Sequence, residues 1–146
     1  MSQVAVIDCG TNSIRLLIAE ISGSTFKEVI RTMEIVRLGQ GVDENKAFHP
    51  DAINRTLLTV KSFKEIIDKN KVDKIRFCAT SATRDAKNRN LFIDGVRDIL
   101  NVQVEVIPGE EEAALSFTGA TYQLDQGSGP FLVVDIGGGS TEFVYG

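Results

Sequence analysis

The chain has no tryptophan, one histidine, two cysteines and three prolines in 146 residues, and most of these scarcities close off a class of function. The lone histidine, His49, stands directly before Pro50, which opens a helix at its favoured first turn. No serine–histidine–acid triad can be drawn around it. Cys9 and Cys78 lie in apolar segments without metal-ligand spacing, so both read as buried free thiols. No apolar run reaches the length of a membrane span, and the start MSQVAVID lacks the basic residues of a signal peptide. The expected location is the cytoplasm, with no membrane partner. Positive charge is also short. Sixteen Lys and Arg against twenty Asp and Glu leave a net charge of −4, which argues against a nucleic-acid partner held by overall basic attraction. A local anion site is not affected by that sum. Neither a Walker A pattern nor a Gly-x-Gly-x-x-Gly run occurs. The lysines at 61, 64, 69, 71 and 74 read as a solvated helix face.

What is present is an ordinary globular composition, 42% hydrophobic and 25% charged, with enough length for one modest core. Residues 4–8 and 14–21 are apolar runs joined by the tight turn CGTNS, a β-hairpin. The period of two in FKEVIRTMEIVRL predicts a third, bent strand over 26–38, and GQGVDEN reads as a loop. From Pro50 to about Asn70 the stripe Ile53, Leu57, Val60, Phe63 or Lys64, and Ile67 predicts a helix. A buried strand follows at 74–80, then a polar loop SATRDAKNRN, a helix near 89–100, a strand at 102–107 and a helix over 110–124. The order β-β-β-α-β-α-β-α predicts an α/β fold, a mixed sheet with helices on its faces. A fresh hairpin then starts at PFLVVDI. The expected division is residues 1–124 as a first domain and 125–146 as the beginning of a second, similar one.

That last hairpin copies the first. When Asp8 is laid on Asp135, Gly10 falls on Gly137 and Ser13 on Ser140. Each segment runs apolar strand, Asp, x, Gly, polar residues, Ser and a second apolar strand. Glycines let backbone N–H groups converge on one concavity, where a Cβ would block close approach. Thr11, Ser13, Ser140 and Thr141 add hydroxyl donors. Such a concavity suits phosphate oxygens, whereas Asp8, Asp135 and Glu142 do not suit an anion until a cation joins them. Carboxylates hold Mg²⁺ through its waters, and Mg²⁺ neutralises phosphate. Glycines, hydroxyls and isolated acids together argue for phosphate plus a divalent metal. The competing reading is that each Asp merely closes its own turn.

The paired turns resemble the two phosphate loops of the acetate kinase, sugar kinase and actin superfamily. More narrowly, VIDCGTNSIRLLIAEI, FCATSATRDAKN, VIPGEEEAALSFTGA and VVDIGGGSTEFVYG resemble, in order, the exopolyphosphatase/guanosine pentaphosphate phosphohydrolase family. The resemblance covers the whole chain, and ATSATRDAKN with the double acid before Ala is its most specific part. It implies a ribonuclease H-like, actin-like ATPase fold and a pair of domains closing over a chain of phosphates. It also implies water attack on a terminal phosphorus of polyphosphate or guanosine pentaphosphate, with Mg²⁺. Glu112 matches the glutamate taken as general base, and Asn12, Ser13 and Arg15 match phosphate contacts of the first loop. Arg84 matches an arginine facing the phosphates, as the guanidinium fork suits two phosphate oxygens. Gly137, Gly138, Gly139 and Ser140 match the second loop, and Asp8, Asp135 and Glu142 the acids near the metal.

Three adjacent glutamates at 110–112 are expected to repel one another and raise one pKa, against the helix N-terminus. Members of the family run to about twice this length, so the chain is expected to be a fragment with little phosphatase activity of its own. The unpaired strand edges of the terminal hairpin raise a homodimer as a further expectation. Two alternatives stay open: an ATP-dependent kinase or ATPase of the same superfamily, and a polyphosphate-binding sensor without catalysis.

Overall fold

The computed structural model describes all 146 residues. Strands β1 (Ser2–Cys9) and β2 (Ser13–Ser22) form the expected antiparallel hairpin, and β3 (Thr25–Ile35) extends it on the outer side. β4 (Lys74–Ala79) joins β1 in parallel, and β5 (Val104–Val106) joins β4 in parallel, giving the order β3-β2-β1-β4-β5. The pleat sorts β1 cleanly: Ala5, Ile7 and Cys9 are buried, while Val4, Val6 and Asp8 point to the other face. Ile14, Leu16 and Ile18 of β2 continue the same core.

Two helices cover that core, α2 (Pro50–Lys69) and α4 (Arg89–Leu100). α2 buries Ile53, Thr56, Val60, Phe63 and Ile67, close to the predicted stripe, and Thr56 hides its hydroxyl by donating to Ala52 O at 2.8 Å. His49 is its cap, with Nδ1 accepting from Asp51 N–H at 3.1 Å. α4 buries Phe92, Val96 and Leu100. The two helices approach closely at Gly95, where a Cβ would stand 2.6 Å from Leu57 Cδ1. Phe92 meets Phe48 and Phe77 edge-on, with centroids 5.8 and 6.2 Å apart.

The structure departs from the sequence expectations in several places, and β5 and the helix at Gly109–Thr121 are each shorter than predicted. β3 ends at Ile35, not 38, because Val36 and Leu38 turn into the core and Arg37 takes φ 50°. The predicted bend is a bulge: Ile18 pairs with Ile30 and Ala19 with Glu28, leaving Val29 as the extra residue. The segment read as loop GQGVDEN contains a short helix, α1 (Val42–Asn45), pinned by buried Val42. Most of the supposed polar loop after β4 is likewise ordered: α3 (Ser81–Asp85) buries Ser81, Ala82 and Thr83. A helix of five residues is too short for apolar periodicity to reveal it.

The second hairpin, β6 (Leu132–Ile136) with β7 (Thr141–Tyr145), is a separate two-stranded sheet. Helix α5 (Gly109–Thr121), grouped with the first unit in the sequence reading, packs on both of its strands. Val133, Asp135, Glu142 and Val144 are half-buried on one face of this hairpin. Leu132, Val134, Ile136, Phe143 and Tyr145 are exposed on the other. No helix is long and apolar enough to cross a membrane.

The packing gives a contrast between neighbours. Phe92→Ala removes a ring that is fully buried and should cost about 3–5 kcal/mol. Leu91→Ala, at a position 64% exposed, should stay within about 0.5 kcal/mol. Urea unfolding midpoints of the two variants check the difference.

Candidate functional site

The two glycine turns are built alike in detail. Gly10 N–H donates to Ser13 O at 3.0 Å, and Gly137 N–H donates to Ser140 O at 2.9 Å. Asp8 faces Arg15 across β1 and β2, and Asp135 faces Glu142 across β6 and β7. The turns also touch. A Cβ on Gly138 would stand 3.1 Å from Asn12 Cβ, and one on Gly139 would stand 2.6 Å from Thr11 Oγ1 and 2.8 Å from Ser81 Oγ. A side chain at Gly139 would force Thr11 and Ser81 to move. The backbone N–H groups of Thr11, Asn12, Gly138 and Gly139 donate to no backbone carbonyl. Four donors in two facing turns are the raw material of an anion nest.

Between the turns lies a cavity of about 640 Å³ whose only hydrophobic lining residue is Ile136. Ten of the residues singled out in the sequence line it: Asp8, Asn12, Ser13, Arg15, Glu112, Asp135, Gly137, Gly138, Gly139 and Ser140. Arg84 and Glu142 are not among the lining residues. Arg84 stands behind Glu112, its Nη1 donating to Glu112 Oε2 at 2.9 Å and to Ile107 O at 2.8 Å. Its partner is therefore Glu112, not the adjacent Asp85. Gly10 and Thr11 of the first turn line it too, and the rest of the polar lining, Arg37, Gly39, Gln40, Thr80 and Ser81, was missed by sequence reasoning. Thr80 and Ser81 lie within the block ATSATRDAKN that carries the resemblance, whereas Arg37, Gly39 and Gln40 sit in a strand end and loop that periodicity misread.

Burial pushes the Glu112 carboxyl above the usual range. The hydrogen bond and charge of Arg84 oppose this, while Glu142 and Asp135 add to it. The repulsion expected from Glu110 and Glu111 is not what raises it. Glu111 is drawn off to Arg76, 3.3 Å away, which Glu105 also holds at 2.6 Å, and Glu110 is exposed. Loss of water also raises Asp8, with Arg15 at 3.7 Å opposing and Asp135 adding to the rise. Asp135 Oδ2 accepts from Ser116 Oγ of α5 at 2.7 Å, which fixes its direction.

The acids Asp8, Glu112 and Asp135 thus share the cavity with unpaired N–H donors. Bare carboxylates would repel a phosphate, so the donor set makes chemical sense with a divalent cation between them. No three acids, histidines or cysteines converge tightly enough to coordinate an ion on their own. Asp8 and Asp135, which open on the cavity from the two turns, are the residues that would hold such an ion through its waters.

A mixed sheet with flanking helices and a second hairpin whose turn faces the first is the actin-like ATPase architecture. Within it, the chain belongs to the Ppx/GppA phosphatase family, which it matches over residues 17–146. It is 46% identical over its whole length to Exopolyphosphatase 2 of Mycobacterium tuberculosis, of which it covers 49%. It is 37% identical to the guanosine-5′-triphosphate,3′-diphosphate pyrophosphatase of Vibrio vulnificus, over 97% of this chain and 28% of that one. The crystal structure of an exopolyphosphatase-like protein superposes with a TM-score of 0.95 at 49% identity, over 99% of this chain and 45% of that one. The chain therefore spans about half the length, or less, of the curated relatives it matches.

The glycine contact makes a prediction of opposite signs. Gly139→Ala forces a methyl against Thr11 and Ser81 and should destabilise by about 1–3 kcal/mol. Gly119→Ala, in helix α5 with open space around it, should stabilise by up to about 1 kcal/mol. Denaturant titration of both variants reads the sign directly.

Proposed function

We propose that the chain is the phosphate-binding part of a phosphohydrolase that removes the terminal phosphate of inorganic polyphosphate or converts guanosine pentaphosphate to tetraphosphate. The observation that carries this reading is that both glycine turns and Glu112 open onto one polar cavity. Residues 1–124 would form the first wall of a cleft, and 125–146 would begin the second. The names borne by the mycobacterial and Vibrio relatives point to the same two substrates.

The chemistry follows from the residues. The free N–H groups of Thr11, Asn12, Gly138 and Gly139, with the hydroxyls of Ser13 and Ser140, hold the oxygens of the terminal phosphoryl group. Arg15, tied to Asp8, adds a cation at the first turn. Glu112 accepts a hydrogen bond from the attacking water and orients it toward phosphorus, opposite the leaving oxygen. Its raised pKa makes it a better base than a solvated glutamate, while Arg84 fixes its direction and favours its ionised form. Bound Mg²⁺ at Asp8 and Asp135 would neutralise phosphate charge and lower the cost of bringing it to these acids. Phosphoryl transfer needs little else beyond positioning and charge balance.

Phosphate release from long-chain polyphosphate and from guanosine pentaphosphate by the full-length protein tests the reading. Glu112→Gln should lower turnover by about 10²–10⁴-fold with substrate binding retained. Equal turnover in the variant would overturn the assignment, and a protein that binds polyphosphate without hydrolysing it would be a sensor. The pH profile supplies a second check. Glu112 must be ionised to act, so kcat/KM should fall on the acid side through a limb lying above the ordinary glutamate range. Arg84→Gln removes the partner that holds the pKa down and should move that limb to higher pH, since Glu142 and Asp135 then act unopposed.

A further inference from the structure

The cavity has a third wall that belongs to neither glycine turn. Residues 36–40 leave β3 and are bolted to the first turn by three backbone bonds. Val36 and Arg37 N–H both donate to Asn12 O, at 3.0 and 2.9 Å, and Gly39 N–H donates to Thr11 O at 2.8 Å. Arg37 is held at φ 50°, a left-handed conformation that a non-glycine residue adopts at a cost and only where its surroundings fix it. Behind the segment stands Arg55 of α2. Its Nε donates to Val36 O at 2.6 Å, and its Nη2 reaches Arg37 O at 3.3 Å and Gln40 Oε1 at 3.0 Å. Arg37 and Gln40 line the phosphate cavity, and the same two residues line an adjoining open groove of about 410 Å³ with Ile35 and Arg55. The two spaces share this wall.

Charge separates the two ends. Arg15 at the turn is paired with Asp8, and Arg84 is paired with Glu112. The ion pairs of the chain involve Arg15, Arg31, His49, Lys64, Arg76, Arg84 and Arg97, and leave Arg37 and Arg55 without a carboxylate. The hydrogen bonds of Arg55 go to carbonyls and an amide, which orient its guanidinium without cancelling its charge. The groove therefore presents two uncompensated cations just outside a cavity whose acids are Asp8, Glu112 and Asp135.

We propose that this groove is the subsite for the phosphates that are not cleaved. The proposal rests on the phosphohydrolase reading and adds where the rest of the substrate lies. The terminal phosphoryl group occupies the turns, and the remaining chain leaves along residues 36–40. There the Arg37 fork and the Gln40 amide donate to its oxygens, and Arg55 supplies charge from behind. The shared ligand chemistry is a phosphate remote from the scissile bond. It is the body of the chain in polyphosphate and the 3′-diphosphate in guanosine pentaphosphate.

The test uses the full-length protein and three substrates: long-chain polyphosphate, tripolyphosphate and guanosine pentaphosphate, with KM and kcat read separately. Arg37→Gln should raise KM for long-chain polyphosphate by about tenfold, the scale of one charge-assisted hydrogen bond. KM for tripolyphosphate, which the two turns suffice to hold, should move far less. Arg37→Lys should recover part of the loss, because charge returns without the fork. Gln40→Ala, which leaves the backbone bolts in place, should shift KM in the same direction and covers the case in which Arg37→Gln fails to fold. A selective rise with guanosine pentaphosphate alone would support the groove and name the 3′-diphosphate as its occupant. Equal rises at both polyphosphate lengths with none for guanosine pentaphosphate, or no rise at all, would overturn the subsite while leaving the hydrolase intact. No phosphate release from any substrate by the unaltered protein would overturn the phosphohydrolase reading itself, and the subsite would fall with it.

Discussion

The site depends on two glycine turns being allowed to touch. Gly139 lies against Thr11 and Ser81 at distances too short for a β-carbon, and Gly138 lies against Asn12 with little space to spare. That contact brings Asp8 of one sheet and Asp135 of the other to the walls of one cavity, and leaves four N–H groups without backbone acceptors. Glycine usually weakens an element by adding entropy to the unfolded chain. Here the same lack of a side chain lets two separate sheets build a common floor. The larger core under α2 and α4 gives the first turn a rigid base, since Ile7, Cys9 and Ile14 flank it and are buried.

Duplication supplies the geometry, and divergence supplies the chemistry. Arg15 and Glu142 occupy equivalent places opposite the two aspartates, one basic and one acidic. The first turn is therefore nearly balanced in charge, whereas the second adds negative potential near Glu112. The balance differs again along residues 36–40, where Arg37 and Arg55 are unpaired. Two turns of matched geometry thus stand between an acidic region and a basic one.

Much of this was legible in the sequence because its signals are local. The period of two in β1 and β2, the stripe on α2 and the register of Asp8 with Asp135 are each set by residues a few positions apart. Ten of the expected site residues meet in the cavity for the same reason. What could not be read depends on contacts between distant segments. Nothing near Arg37 announces that its N–H will bond Asn12, twenty-five positions earlier, and nothing near Arg84 announces Glu112. Ser81 and Thr83 look like loop residues because polar side chains in a five-residue helix carry no period. The raised pKa of Glu112 was expected from its neighbours in sequence but comes first from burial, a property of the assembled walls.

Helix α5 is tied to both sheets. Just before it, Ile107 N–H donates to Ala79 O at the end of β4, and Arg84 grips Ile107 O. Farther along, the helix lies on β6 and β7, and Ser116 holds Asp135. At its far end Tyr122 packs on Phe26 of β3, with ring centroids 5.2 Å apart, and donates its hydroxyl to Ser24 O. Both ends of α5 are thus pinned to the larger sheet while its middle carries the hairpin. One helix therefore sets the spacing between Glu112 near its start and Asp135 on the hairpin, so that a change in how α5 lies shifts both carboxyls together.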